Sequence, residues 1–418
     1  MTIPISTTPS RLHLVGYASA GLGLGEVLRR IAIALAHQPD LIGIHDFRQH
    51  MDDRAVDRQL WTLLPESCFD RSIMPHDWVL YLVNPDQLAD AVAQFPTSGR
   101  RCGLWFWELE RIPSTWLNAF SLLDEIWTPS SFVHKAIMAA AQSIQWRGKV
   151  TAMALPLDRP STQPKILADR PSTHPKVLAE RPPTSLKQAL DCSWWTAWSS
   201  RDSYRYYFSF DCHSVPERKN PYDLIQAFRI AFDDVSKQAA RQPRLLLRVL
   251  NPERRPDCLK EIKRLVAGDS RVMIDSNYLS TDTLDTVLER TDVYVSLHRS
   301  EGLGLGMAEA MSAAKPCIAT GWSGNLDFMD PACGKWRSSS VAMLLKPSLQ
   351  AVPAGAYPHG DGQRWAHIDL AQAAQAMRWC FDFPAQAAAI GRAAKASIAQ
   401  SHGPQRFEQW LKHYLFSC

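Results

Sequence analysis

The sequence predicts an α/β protein of two domains built on doubly wound parallel sheets, and three observations carry that expectation. Short apolar runs recur along the chain and alternate with stretches of helical period, the pattern of a parallel sheet with helices on both faces. Twice such a run passes through a glycine-rich turn directly into a helix. The chain is 418 residues long, too many for one ordinary core and comfortable for two domains of roughly 200 each.

Composition narrows the function classes. Hydrophobic residues make up 46% and charged residues 21%, as in ordinary globular proteins. A net charge of only +4 gives no global reason to expect nucleic acid or a membrane surface as partner. No uninterrupted apolar stretch reaches the roughly 18 residues needed to span a bilayer. Residues Met1–Ser10 lack a basic segment and an apolar core, so no secretory signal is expected. The cytosol is the expected compartment, with at most peripheral contact at the inner face of a membrane. Nine cysteines without a C-x-x-C pair argue against a disulfide framework and a zinc site. The fifteen tryptophans are expected mostly in the core.

From the start of the chain, Leu12–Val15 reads as a strand. It leads into Gly21-Leu22-Gly23-Leu24-Gly25-Glu26 and then a helix over Val27–Ala36, with Leu28, Ile31 and Leu35 on one face. The G-x-G-x-G spacing differs from the G-x-G-x-x-G dinucleotide fingerprint, although Asp40 and Asp46 stand near the distance of that motif's acidic residue. Val79–Val83 reads as a second buried strand. The run Cys102-Gly103-Leu104-Trp105-Phe106-Trp107-Glu108-Leu109-Glu110 follows, then a helix over Trp116–Leu123, a strand over Glu125–Trp127 and a loop over Thr128–Phe132. Ligand crevices form at the carboxyl ends of parallel strands, and Glu108 stands at such an end. A carboxylate there could accept a hydrogen bond from an acceptor hydroxyl, with Glu110 the weaker alternative.

The chain then changes character. Arg159–Asp169 and Arg170–Glu180 are two copies of an 11-residue, proline-rich unit, and Arg181–Asp191 is a degraded third. Three such proline-broken units are too few for a solenoid, and they read as an insertion or linker at the domain boundary. The expected division is an N-terminal domain over 1–158, the repeat over 159–191, a C-terminal domain over 192–385, and terminal helices over 386–418.

The second domain opens on a strand over Tyr204–Phe210, followed by Asp211–Pro221 and a helix through Leu224, Ile225, Ala227, Phe228 and Phe232. Arg218-Lys219 ahead of that helix opposes its dipole, which favours a phosphate-binding role over a solvated pair, and Ser214 could bond a phosphate oxygen. Strands over Leu245–Leu250 and Val272–Ile274, and a helix over Thr283–Arg290, lead to the strand Val293–Leu297. There the second glycine turn, Glu301-Gly302-Leu303-Gly304-Leu305-Gly306, passes into a helix over Met307–Ala314 that bears Glu309. Free backbone N–H groups at such a turn suit a phosphate. Carboxylates would repel phosphate but suit hydroxyls, so the combination points to a nucleotide sugar. Beyond it come a strand over Pro316–Thr320, the turn Gly321-Trp322-Ser323-Gly324-Asn325, an alanine-rich helical stretch over Asp369–Ser401 and a last helix over Phe407–Leu415.

The glutamate pair Glu301 and Glu309, the Arg218-Lys219 pair, the Gly21–Glu26 run, the Trp105-Phe106-Trp107-Glu108-Leu109 run and the Gly321–Asn325 turn together resemble the family 4 retaining glycosyltransferases. The resemblance implies the GT-B fold, two Rossmann-like domains facing across a cleft, with the final helix packed on the first. It implies that Glu301 meets the donor sugar's hydroxyls and Glu309 the ribose. The amides of Gly304, Leu305 and Gly306 would face the diphosphate or the sugar, with Ser323 and Gly324 in the same donor site and Gly23 and Gly25 near the phosphates. Lys219 and Arg218 would stabilise the leaving diphosphate, beside Glu301 and Glu108 among the residues closest to the reaction. One departure stands out: Phe210-Asp211 occupies the place of the family's usual Gly-Arg, so Arg218 or Ser214 would replace that arginine. His298 reads as structural.

The implied activity is transfer of a sugar, with retention, from a nucleoside-diphosphate sugar to an acceptor hydroxyl, in polysaccharide or glycoconjugate synthesis. The acceptor would be a saccharide, a lipid-linked saccharide or a small molecule. No cofactor and no metal are expected. A sugar-nucleotide epimerase or phosphorylase on the same fold, or a silent nucleotide-binding subunit, remain the alternatives.

Overall fold

The computed structural model describes residues 11–49, 57–158, 193–236, 238–329 and 340–416. The proline-rich repeat over 159–191 lies outside the described residues. The chain divides into two compact units: the described residues of 1–107, 111–181 and 401–418 form the first, and those of 108–110 and 182–400 the second.

The first unit is a six-stranded parallel sheet. Its strands are β1 (Leu12–Gly16), β2 (Ile42–Asp46), β3 (Trp78–Leu82), β4 (Arg100–Leu104), β5 (Glu125–Thr128) and β6 (Lys149–Ala152), in the order β2-β1-β3-β4-β5-β6. Strands β1 and β3 are buried along their whole length, as a parallel strand covered on both faces must be. The Gly23–Ala34 helix buries Leu28 and Ile31. It begins four residues earlier than the sequence suggests, so Gly23 and Gly25 lie in its first turn rather than in a loop. The stretch expected as an α-helix over Trp116–Leu123 is a 3₁₀ helix over Ser114–Leu122. The last helix, Pro404–Phe416, belongs to this unit. Its Tyr414 hydroxyl donates to the buried Glu125 carboxylate, which also accepts from Thr151 Oγ1 at 2.6 Å and Trp127 Nε1 at 3.1 Å.

Inside this sheet lies a buried polar chain. Asp77 Oδ2 meets His13 Nε2 at 3.0 Å, and His13 Nδ1 meets His45 Nε2 at 2.9 Å. Each contact needs one proton, so two neutral rings satisfy both. Burial, and then the proximity of His13, lower the His45 pKa to about 4.

The second unit repeats the architecture. Its strands are β7 (Ser203–Asp211), β8 (Gln242–Leu250), β9 (Val272–Asp275), β10 (Val293–Ser296), β11 (Cys317–Thr320) and β12 (Met343–Leu345). They pair in parallel in the order β12-β11-β10-β7-β8-β9. A two-stranded antiparallel hairpin follows, β13 (Ser348–Ala351) and β14 (Arg364–His367). The alanine-rich stretch is not continuous: a helix over Leu370–Asp382 ends before a second over Pro384–His402, because proline lacks the N–H that the helix interior requires.

Chain order reverses between β7 and β10, which are neighbours in the sheet. In parallel sheets, crevices open at the carboxyl ends of strands flanking such a switch point. The loops after β7 and β10 are therefore where this unit should hold a ligand. They carry Ser214, Arg218 and Lys219 on one side and Glu301 and Gly304 on the other.

Candidate nucleotide-sugar site

After β7 the chain makes a 3₁₀ turn at Cys212–Ser214, capped by Asp211, whose side chain accepts from the His213 N–H at 2.9 Å. Asp211 thus spends its carboxylate on its own turn, and Ser214 ends that turn half-buried. Val215 then adopts φ 59°, a left-handed conformation that strains a β-branched residue. Its carbonyl accepts from the Arg218 and Lys219 N–H groups at 3.0 and 3.3 Å, which closes the short Pro216–Lys219 helix. Asn220, also left-handed at φ 59°, turns the chain into the Pro221–Ala231 helix.

After β10 the loop is held from three sides. His298 is fully buried, with Nδ1 at 3.0 Å from Ser296 Oγ and Nε2 at 3.1 Å from Asn325 Oδ1. Burial lowers its pKa, so it is a neutral structural ring, as the sequence suggests. The Glu301 N–H donates to Ser323 Oγ at 2.8 Å, and the Gly324 N–H donates to the Glu301 carbonyl at 2.9 Å. Gly324 cannot carry a side chain, since a Cβ there would stand 2.1 Å from the Gly302 carbonyl oxygen. Gly304 sits at φ 100° just before the Leu305–Ser312 helix, and its conformation is one that glycine adopts freely. Gly306 makes room for the Tyr294 hydroxyl, 2.4 Å from where a Cβ would lie. The first amides of that helix, at Leu305 and Gly306, have no intrahelical partner by geometry and carry the positive end of the helix dipole.

The two loops meet at a cluster of charges. Glu301 is only 7% exposed. Its Oε1 lies 2.5 Å from Lys219 Nζ and its Oε2 3.1 Å from Arg218 Nη1. Burial alone would push this carboxyl up, but Lys219 and then Arg218 outweigh it and hold it at about 2. Burial lowers the Lys219 pKa, with Glu301 opposing. Arg218 is 3% exposed. Its Nη1 also donates to the Ser300 carbonyl at 2.8 Å, and its Nη2 stands 3.6 Å from Glu108 Oε1. Burial works against the guanidinium charge, and Glu301 and Glu108 more than restore it.

The segment Glu108–Glu110 belongs to this second unit. The Ser300 hydroxyl donates to the Glu108 carbonyl, and the Tyr357 hydroxyl donates to Glu108 Oε2 at 2.8 Å. Structure therefore gathers Glu108, Arg218, Lys219 and Glu301 into one contact group, with Ser323 and Gly324 supporting its backbone. Glu309 lies half-buried on the Leu305–Ser312 helix. Gly23 and Gly25 lie in the other unit, where Gly25 is fixed by packing: a Cβ would come within 2.5 Å of the Ala20 and Tyr17 carbonyl oxygens. Ser300 and Tyr357 lie outside the residues that the sequence singles out. Ser300 stands within the motif and its adjacency to Glu301 was a usable signal, whereas nothing in the sequence links Tyr357 to Glu108. Among the described residues no His, Cys, Asp and Glu group is arranged to hold a metal ion, and no helix is long and apolar enough to cross a membrane.

Residues 207–332 match the family model described as Glycosyl transferases group 1. No curated protein matches the chain at a significant level. Among solved structures, HepE of Anabaena in complex with UDP and glucose is 14% identical with a TM-score of 0.58, covering 98% of this chain and 100% of that one. A UDP-forming α,α-trehalose-phosphate synthase from Burkholderia xenovorans is 11% identical with a TM-score of 0.60, covering 97% and 98%. The trehalose-6-phosphate synthase OtsA is 10% identical with a TM-score of 0.61, covering 98% and 99%. The fold is GT-B, and its second unit carries a glycosyl transferases group 1 segment that includes Arg218, Lys219, Glu301 and Glu309.

Proposed function

We propose that the protein, a nucleotide-sugar-dependent glycosyltransferase, transfers its sugar with retention to an acceptor hydroxyl, and that the Lys219–Glu301–Arg218 cluster is the centre of its donor site. The observation that supports this most directly is a buried carboxylate locked between two cations at the switch point of the sheet. At about 2, Glu301 is ionised at any working pH and too weak a base to take an acceptor's proton. It can accept hydrogen bonds from sugar hydroxyls through its remaining lone pairs.

Lys219 has three N–H donors and spends one on Glu301, which leaves donors for a phosphate oxygen. An arriving diphosphate is an anion and offsets the cost of burying the Lys219 charge. The amides of Leu305 and Gly306 add a second, fixed source of positive potential for the leaving group. Charge developing on the diphosphate then meets donors already in place, an effect commonly worth about 3 kcal/mol per donor. With Glu301 locked and Glu108 held by Arg218 and Tyr357, the acceptor oxygen bonds to the anomeric carbon on the face from which the diphosphate departs, its proton goes to the departing phosphate oxygen, and the configuration is kept. Arg218 acts by positioning Glu301. Glu309 binds the ribose, and Ser214 a phosphate oxygen. Neither cofactor nor metal enters this scheme.

HepE of Anabaena holds UDP-glucose, which makes a uridine nucleotide the first donor to try. Purified protein would be given UDP-, GDP- and ADP-sugars with water as the acceptor, and products followed by mass spectrometry. Release of one nucleoside diphosphate is the expected result, and proton NMR of the freed sugar should show the donor's anomeric configuration first. Inverted product would remove the retaining mechanism. Binding of a nucleotide without any turnover, even with saccharide acceptors added, would favour the silent-subunit alternative.

A further inference from the structure

The β13–β14 hairpin supplies no group that touches donor or acceptor in the scheme above, yet it is fastened to the site at four points. The Ala366 N–H donates to the Arg299 carbonyl at 2.8 Å, and the Arg299 guanidinium lies 5.3 Å from the centre of the buried Trp365 ring. Both contacts grip the loop that carries Glu301. Arg364 pairs with Glu110 at 3.0 Å, and Tyr357, on the connection between the two strands, donates to Glu108 Oε2 at 2.8 Å. The Tyr357 ring also stands 5.9 Å from the Arg218 guanidinium.

We propose that Tyr357 is a positioning residue for the transfer step: its hydroxyl holds Glu108 over Arg218, and Arg218 thereby holds Glu301. The inference rests on the functional reading above. Glu108 reaches Arg218 only loosely, at 3.6 Å, and its side chain is 24% exposed. A carboxylate with one loose partner and access to water rotates away readily, because solvent competes well for exposed ion pairs. Tyr357 occupies its second oxygen and removes that freedom. Burial raises the Tyr357 pKa well above its ordinary value, so the hydroxyl stays a donor throughout the working range.

Among the described residues, Arg218 without Glu108 is a buried cation left with one carboxylate, Glu301, which it shares with Lys219, and its Nε has no hydrogen-bond partner. Its best response is to close on Glu301 and take lone pairs that the sugar hydroxyls need. The nucleotide contacts assigned to Lys219 and the Leu305 and Gly306 amides are not touched by Tyr357. The residue should therefore govern turnover and leave nucleotide affinity alone.

The test uses the full chain and four variants: Tyr357→Phe, Glu108→Gln, both together, and Arg364→Ala as the hairpin control. Tyr357→Phe should lower kcat for donor turnover about tenfold, a scale set by small displacements of positioned groups, with the Kd for the nucleoside diphosphate within twofold of wild type. Glu108→Gln should do at least as much, and the double variant no more than Glu108→Gln alone, as for residues acting through one contact. Arg364→Ala should stay within twofold of wild type. An active wild type with an equally active Tyr357→Phe, or multiplicative effects in the double variant, overturns this assignment alone. A loss confined to nucleotide affinity or melting temperature does the same. A wild-type protein that turns over no nucleotide sugar overturns the functional reading and this assignment with it.

Discussion

The molecule builds the same local device twice, once after β1 and once after β10, and the two differ in where their charges go. In the first unit the helix that begins at Gly23 uses Glu26 locally, with Arg30 Nε at 2.8 Å and Arg29 Nη2 at 3.2 Å on the same helix. In the second, Glu301 ahead of the helix pairs with Lys219 and Arg218, 82 and 83 residues distant in sequence. A glycine turn and a helix start are set by neighbouring residues and reveal little about role. What the second turn adds is a pair of cations brought to its glutamate from another strand's loop; the first turn's arginines also reach beyond their helix, to Asp57 and the Leu157 carbonyl.

Replacing the distant partner should have the largest effect. Lys219→Ala is expected to reduce turnover by two to three orders of magnitude, measured as kcat on the best donor, whereas Arg30→Ala in the first unit should act through stability. Near-normal turnover in Lys219→Ala would dissolve the contrast. Acid should act on both units, through His45 in the first and His298 in the second. His45, folded at about 4 against an ordinary 6.5, contributes stability above pH 6.5 that is lost as pH falls toward 4, roughly 3 kcal/mol over that span. Glu301, folded at about 2 against 4.5, contributes stability above pH 4.5 that is lost only as pH falls toward 2. Hydrogen exchange in the first sheet should therefore be faster at pH 5 than at pH 7. An unchanged rate there would count against the buried histidine chain as a weak point.

Next come the glycines. Gly324→Ala and Gly25→Ala each push a Cβ into backbone carbonyls, at 2.1 and 2.5 Å, and each should cost about 1–3 kcal/mol by calorimetry. Gly324→Ala should lose turnover beyond its share of unfolded protein, because its N–H holds the Glu301 carbonyl. The smallest expected change is Glu309→Gln, weakening nucleoside-diphosphate binding about tenfold, as for loss of a charged hydrogen bond. Unchanged affinity would return Glu309 to a helix-stabilising role.

How much was legible follows from the same contrast. The buried strands β7, β8 and β10 announced themselves within a few residues at each end, because both faces are covered and the apolar runs are nearly unbroken. β2 and β6 did not: Ile42–Asp46 contains a glycine and a histidine, and Lys149–Ala152 is an edge strand with exposed ends. The β13–β14 hairpin is not legible in the sequence, since Ser348–Ala351 is mostly exposed and has no alternation to read. The glutamate motif pointed to a hydroxylated, phosphorylated ligand from residue chemistry alone. Arg218 shows the limit: sequence distinguishes a cation from its neighbour, Lys219, but not which of them faces inward. That depends on Ser300 and Glu108, which only the folded chain brings to it.

Val215 gives the cation turn a mechanical character. A valine at φ 59° is wound against its own preference, and the turn is carried there because its carbonyl closes the helix bearing Arg218 and Lys219. Glycine at 215 would accept the same backbone without strain but would widen the range the turn can visit. For protein engineering this makes position 215 a dial between robustness and tempo. A Val215→Gly enzyme should melt higher if relief of strain outweighs the added chain entropy, yet turn over more slowly as its two cations lose their common bearing. Screens that select on heat tolerance alone would then favour the slower enzyme.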